Sequence, residues 1–153
     1  MPSRPHASHF KLRIVAILLF PLIGAGSSAT AQTESEATLT IRVTGLSPEE
    51  GQVRIAVFNS KDSWLREPAF GRILDVEGPA VTWTVEQVPY GDYGIATFHD
   101  KNENGKNDLN FFKKPKEPYG FSNNARRVLG PARWDQVKFT VANPIQTTEI
   151  LVK

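Results

Sequence analysis

In the segment TLTIRVTGL, apolar Leu39, Ile41 and Val43 alternate with Thr40, Arg42 and Thr44, and this period of two returns along the chain. Successive side chains of an extended strand point to opposite faces, so the alternation describes strands with one buried face. QVRIAVFN repeats it with Val53, Ile55 and Val57. The SPEEGQ between them carries Pro48 and Gly51 as turn formers, so the two segments read as a hairpin. Val81, Trp83 and Val85 mark another strand, VPYGDYG a turn, and YGIATFH the strand after it. Val137, Phe139 and Val141 in DQVKFTVAN, then Ile150 and Val152 in TEILVK, mark the last ones. Between 59 and 79, KDSWLREPAFG predicts one helical turn capped by Ser60 or Asp62 and ending before Pro68. Trp64, Leu65 and Phe70 there are a plug over one end of the fold, or alternatively an exposed aromatic platform. No stretch has the pattern of a long amphipathic helix. Six or seven short strands punctuated by glycine and proline predict an all-β fold: an antiparallel β-sandwich of about seven strands, with a small barrel as the alternative.

The first 31 residues stand apart from this pattern. Arg4, Lys11 and Arg13 precede the apolar run IVAILLFPLIGAG, and Ala29-Thr30-Ala31 supplies a small-residue cleavage pattern before Gln32. This is the layout of a signal peptide. The run of 13 residues is short of the roughly 18–20 that span a bilayer. The expected product is exported, periplasmic or extracellular, with no stable membrane insertion after cleavage. It comprises a polar leader at 32–37 and a single domain at 38–153. Removing Arg4, Lys11 and Arg13 from 18 basic residues leaves 15 against 16 acidic ones. No basic field remains to argue for nucleic acid as a partner. The chain has no cysteine, so an exported domain of this size must rely on packing, and on a bound ion if one is present. His99 is the only histidine beyond the predicted signal peptide.

HDKNENGKND, residues 99–108, follows the YGIATFH strand. Counted from Asp100, oxygen-bearing side chains fall at positions one (Asp100), three (Asn102), five (Asn104) and nine (Asp108). Gly105 takes position six, and the carbonyl of Lys106 position seven. This is the spacing of calcium loops, in which alternate residues turn inward around a hard cation and glycine permits the sharp bend. Position twelve, normally a bidentate glutamate, is Phe111, so a further ligand would come from Glu103, Glu117 or water. The expected cofactor is a structural Ca²⁺ with Kd in the ~10⁻⁴–10⁻³ M range of extracellular modules. The competing possibility is a metal-free turn, since Asn-Gly is a favoured type I′ hairpin pair. One histidine and no cysteine make a catalytic zinc a poor fit. A triad of Ser122, His99 and an aspartate, or an enzyme using His99 and Asp100, has no motif behind it. The expectation is therefore a protein that is not an enzyme, with His99 in a packed or capping role on the face it shares with Tyr93, Ile95 and Thr97.

The next segment, FFKKPKEPYGFSNNARR, interleaves Lys113, Lys114, Lys116, Arg126 and Arg127 with Phe112, Tyr119 and Phe121. Such a loop is either solvated and anchored by its aromatics, or grips an anionic glycan or other envelope component through cation and stacking contacts. Ser122, Asn123 and Asn124 are placed to brace the calcium loop.

HDKNENGKND followed by KPKEPYGFSNNA resembles the exported bacterial family known as domain of unknown function 2141. LTIRVTGLSPEEGQVRIAVFNS is similar to its opening hairpin and VPYGDYGIATFHD to its central strand. The resemblance implies a transthyretin-like or immunoglobulin-like β-sandwich and carries no established activity. The family's pattern has glycine and an aliphatic residue where this chain has Lys113 and Lys114, so this loop is more basic than the resemblance implies.

Overall fold

The computed structural model describes residues 35–47, 51–111 and 115–153, which belong to the unit Thr33–Lys153. The predicted signal peptide lies outside the described residues. Eight strands follow in order: β1 (Glu36–Thr44), β2 (Gln52–Phe58), β3 (Phe70–Asp75), β4 (Ala80–Pro89), β5 (Gly91–Asp100), β6 (Tyr119–Phe121), β7 (Phe139–Val141) and β8 (Ile145–Leu151). One sheet has the order β4–β1–β8. The other runs β3–β2–β5–β6, with β7 also paired to β5. Strand β5 is long enough to take β7 beside Gly91–Tyr93 and β6 beside Ala96–Phe98. Among the described residues, no helix is long and apolar enough to cross a membrane.

The period of two assigns faces correctly. Leu39, Ile41 and Val43 from β1 meet Val53, Val57 and Ile95 from the other sheet in one buried cluster, each with no exposed surface. Burying a side chain of this kind contributes about 1.5–3 kcal/mol, so this shared core is the main reason the sheets stay together.

Three expectations change. β1 and β2 do not form a hairpin; they lie in different sheets, facing each other across the core. Alternation specifies which side of a strand is buried, not which strand lies next to it. The two-sheet fold is also not wholly antiparallel, because β8 runs parallel to β1, with Ile41 opposite Thr148. Finally, DQVKFTVAN is not one strand. Residues 134–137 form a single helical turn, α1 (Trp134–Val137), before the short β7. Val137 is buried, but not with Phe139 and Val141 as an alternating strand would have it: it joins a second cluster on the outer face of the larger sheet, with Phe58, Phe121 and Trp134.

Trp64 closes that second cluster. Its ring lies 4.9 Å from Phe58 and 6.0 Å from Trp134, and its indole N–H donates to the Ala132 carbonyl at 3.0 Å. The turn that presents it starts at Ser60, whose hydroxyl accepts from the Ser63 N–H at 3.2 Å. Trp64 thus covers the outer face of the larger sheet rather than one end of the fold, whereas Leu65 stays exposed, and Phe70 packs on Trp83 and Tyr93 beside the main core.

A buried hydroxyl links the C-terminal half to β5. Ser122 Oγ donates to the Val137 carbonyl at 2.6 Å and accepts from the Ile95 N–H at 2.9 Å. Asn123 donates to the carbonyls of Gln136 and Lys138, and Asn124 accepts from the Leu151 N–H. These three residues therefore brace β5, α1 and β8 rather than the loop at 100–108. Both asparagines have positive φ, 58° and 49°, a conformation asparagine tolerates better than most residues. Gly120, just before them, has no room for a side chain: a Cβ would sit 2.7 Å from Ile150 Cγ2 and 2.9 Å from the Leu151 carbonyl oxygen. Ser122→Ala removes a partner from two buried backbone groups. It is expected to cost about 2–3 kcal/mol, read as a lower urea midpoint with an unchanged slope.

Candidate functional site

The loop grows out of the end of β5. Asp100 is its last residue, and its carboxylate has no exposed surface. Arg54 stands on β2 opposite Phe98, and its Nε donates to Asp100 Oδ2 at 2.6 Å. The Gly105 N–H donates to the same oxygen at 2.8 Å, and the Asn104 N–H to Oδ1 at 3.1 Å. Burial by itself pushes the Asp100 carboxyl up. The Arg54 hydrogen bond, the Gly105 N–H, the Arg54 charge and the Asn104 N–H outweigh it and hold the group below the usual carboxylate range. Gly105 adopts φ of 80° as the chain passes over Arg54, whose Nη2 would lie 3.5 Å from a Cβ there.

Beyond Asp100, the asparagines shape the backbone. Asn102 Oδ1 accepts from the Asn104 N–H at 3.2 Å, and Asn104 Oδ1 accepts from the Lys106 N–H at 2.8 Å. Each is an Asx turn, in which a side-chain oxygen imitates a backbone carbonyl two residues earlier. The succession brings positions 102, 104 and 108 together. Asn102 Nδ2 donates to Asp108 Oδ2 at 2.8 Å, and Asn104 Nδ2 to Asp108 Oδ1 at 3.0 Å. The positive φ values in this stretch fall at Glu103 and Gly105, not at Asn104. A type I′ turn needs positive φ at both central residues, so the Asn104-Gly105 pair is not one.

Glu117 closes the base of the loop. It is buried, and it accepts from the Lys101 N–H at 2.9 Å and from the Asp108 N–H at 3.2 Å. One carboxylate thus ties the start of the loop to its end. Glu103, the other residue considered as a further ligand, is exposed, and Phe111 at the twelfth position is 94% exposed. Among the described residues, no three of histidine, aspartate and glutamate gather where they could hold a metal ion. The loop instead offers Asp100 and Asp108 together with amide and carbonyl oxygens, a donor set suited only to hard cations.

The basic and aromatic residues of 111–127 are divided among different tasks. Arg126 lies 4.9 Å over the Tyr119 ring and donates to the carbonyls of Tyr119, Leu151 and Lys153. Phe121 is buried beneath Trp64. Lys116 and Arg127 are exposed, and Phe112, Lys113 and Lys114 lie outside the described residues. His99 is fully buried on the inner face of β5, and the Ser122 hydroxyl is engaged by Val137 and Ile95. Arg54 is the participant that sequence reasoning did not reveal. It is 46 residues from Asp100, and nothing in a lone arginine on a strand shows which carboxylate it will meet.

Fold and loop together define a two-sheet β domain carrying an oxygen-rich loop at the end of its central strand. Residues 41–149 match the model of the family described as uncharacterized protein conserved in bacteria (DUF2141), and the chain belongs to that family. No curated protein and no solved structure matches it.

The Arg54–Asp100 pair leads to a stability test. Arg54→Met leaves a buried carboxylate without its counter-charge and is expected to cost about 2–4 kcal/mol at pH 7. In the unaltered protein the depressed Asp100 pKa gives stability above the unfolded carboxylate range, lost as pH falls through the folded value. Removing Arg54 raises that folded pKa. The deficit should therefore shrink between urea midpoints taken at pH 7 and at about pH 3.5.

Proposed function

We propose that this chain is an exported, non-catalytic β-sandwich module, transthyretin-like or immunoglobulin-like in type, whose loop 100–108 is stabilised by a calcium ion. The proposed ligands are Asp100, Asn102, Asn104, the Lys106 carbonyl and Asp108. The observation that carries the proposal is the succession of Asx turns, with Asn102 and Asn104 both brought within hydrogen-bond distance of Asp108. Calcium-loop spacing needs this winding, because alternate residues must face a common point. The two sheets sharing one core support the sandwich type, and the apolar run at 14–26 supports export.

Binding has a cost that fits a weak, structural site. Asn102 and Asn104 direct amide N–H groups at Asp108. To admit a cation they must turn oxygens inward, exchanging two charge-assisted hydrogen bonds for two metal contacts. Asp100 also shares its charge with Arg54. Only two carboxylates, one of them already paired, favour a Kd of ~10⁻⁴–10⁻³ M over the range of a signalling switch.

At ~1 mM calcium and a Kd of ~0.1 mM, binding stabilises the folded state by about 1.4 kcal/mol. That corresponds to a rise in Tm of about 4–8 °C over chelator-treated protein. Asp108→Asn should fold normally and lose this shift, whereas magnesium should give little of it. Identical melting curves with calcium and with chelator would remove the calcium role.

A further inference from the structure

The outer face of the larger sheet carries a second feature, which uses none of the loop's proposed donors. Gly71 on β3 pairs with Ala56 on β2, and Ala56 with Ala96 on β5. The next row along the strands is large: Ile73, Arg54, Phe98 and Tyr119 stand in register. On the other side rise Phe58 and the Trp64 ring. The difference in side-chain height leaves a groove across the strands, walled by segments 65–68 and 127–131, with a volume of about 1340 Å³. Sites for drug-sized ligands run to about 300–1000 Å³, so this groove has room for an extended chain.

Two properties of its lining indicate what it would hold. First, five of the nine exposed large apolar side chains among the described residues line it: Leu65, Ile73, Leu109, Val128 and Leu129. Val128 is 99% exposed and Leu129 77%. Single exposed apolar residues need no explanation, but a gathering of them around one recess does. Second, its charge has one sign. Arg54, Arg66, Arg72 and Arg127 line it, with no aspartate or glutamate among the described lining residues. Arg54 is paired with Asp100, whereas Arg66, Arg72 and Arg127 make no ion pair among the described residues.

We propose that this groove binds an anionic amphiphile, with the aliphatic chain along the apolar floor and the carboxylate at the arginine rim. A guanidinium presents a planar fork of donors that matches a carboxylate in bidentate fashion. The alternatives fit the lining less well. A glycan needs hydrogen-bonding groups under its ring hydroxyls, and the floor here is glycine, alanine and phenylalanine. An extended peptide would pair along a strand edge, whereas this groove crosses the strands. A second copy docked by two-fold symmetry would set one arginine rim against another.

The test is titration of purified, signal-free protein with sodium dodecanoate below its micellar concentration, followed by calorimetry. Dodecanol and acetate serve as the uncharged and the chainless probes. The expected result is saturable one-to-one binding of dodecanoate, at least 10-fold weaker binding of dodecanol, and none of acetate. Arg66→Gln combined with Arg72→Gln, both exposed positions, should weaken dodecanoate at least 10-fold with unchanged Tm. Ala96→Phe should abolish binding by filling the floor. Should that variant not fold, Leu129→Ser on the wall should weaken both long-chain probes. Absence of saturable dodecanoate binding would overturn the proposal. So would equal affinity for dodecanol, indifference to the arginine pair, or dimerisation in sedimentation that closes the groove. Neither result depends on calcium, so this test and the calcium test fail separately.

Discussion

An ionised carboxylate removed from water costs several kcal/mol unless it is paired and hydrogen-bonded. Asp100 has no exposed surface, so where the chain places it, partners must follow. Arg54 arrives from β2, and the backbone folds back to bring the Gly105 and Asn104 N–H groups to the same group. That requirement bends the loop at Gly105 and holds its first half against the sheet. It also fixes Arg54 in the row with Ile73 and Phe98, which forms one side of the groove. One buried pair therefore organises both the loop and part of the outer face.

The strand that carries Asp100 does much of the remaining work. β5 pairs with β2 over residues 94–100 and also with β6 and β7. Its inner side sends Tyr93, Ile95, Thr97 and His99 into the interior. Its outer side presents Gly94, Ala96 and Phe98, a step from small to large. Gly94 has Trp134 and Val137 packed against it so closely that a Cβ would meet both at 2.9 Å. The same step that admits the Trp134 ring at one end leaves the recess beside Ala96. Close packing and open groove are thus two consequences of one alternation in side-chain size.

Much of this was legible in the residues, and the failures have a common cause. The period of two places Leu39, Ile41, Val43, Val53 and Val57 in the core, and all five are fully buried. Spacing groups Asp100, Asn102, Asn104 and Asp108, and these residues share one hydrogen-bonded network. What local patterning missed depends on neighbours distant in the chain. β3 is exposed along Gly71–Ile73, so it carries no alternation to detect. β6 has three residues and is held by its partners on β5 and β8 rather than by any periodicity. The supposed β1–β2 hairpin failed because a turn-rich connection serves equally well to cross from one sheet to the other.

By itself, the sequence determined the class of structure, the buried face of each long strand and the offsets of the loop's oxygen donors. These are local properties: side-chain direction follows from backbone pitch, and Asx turns need only residues two apart. Tertiary structure alone decided that β8 lies parallel to β1, that Arg54 neutralises Asp100, and that Glu117 joins the two ends of the loop. It also decided that three small residues from three strands align beneath a rim of arginines. Each of these depends on register between separated segments, which is set when the two sheets bury their apolar faces against each other.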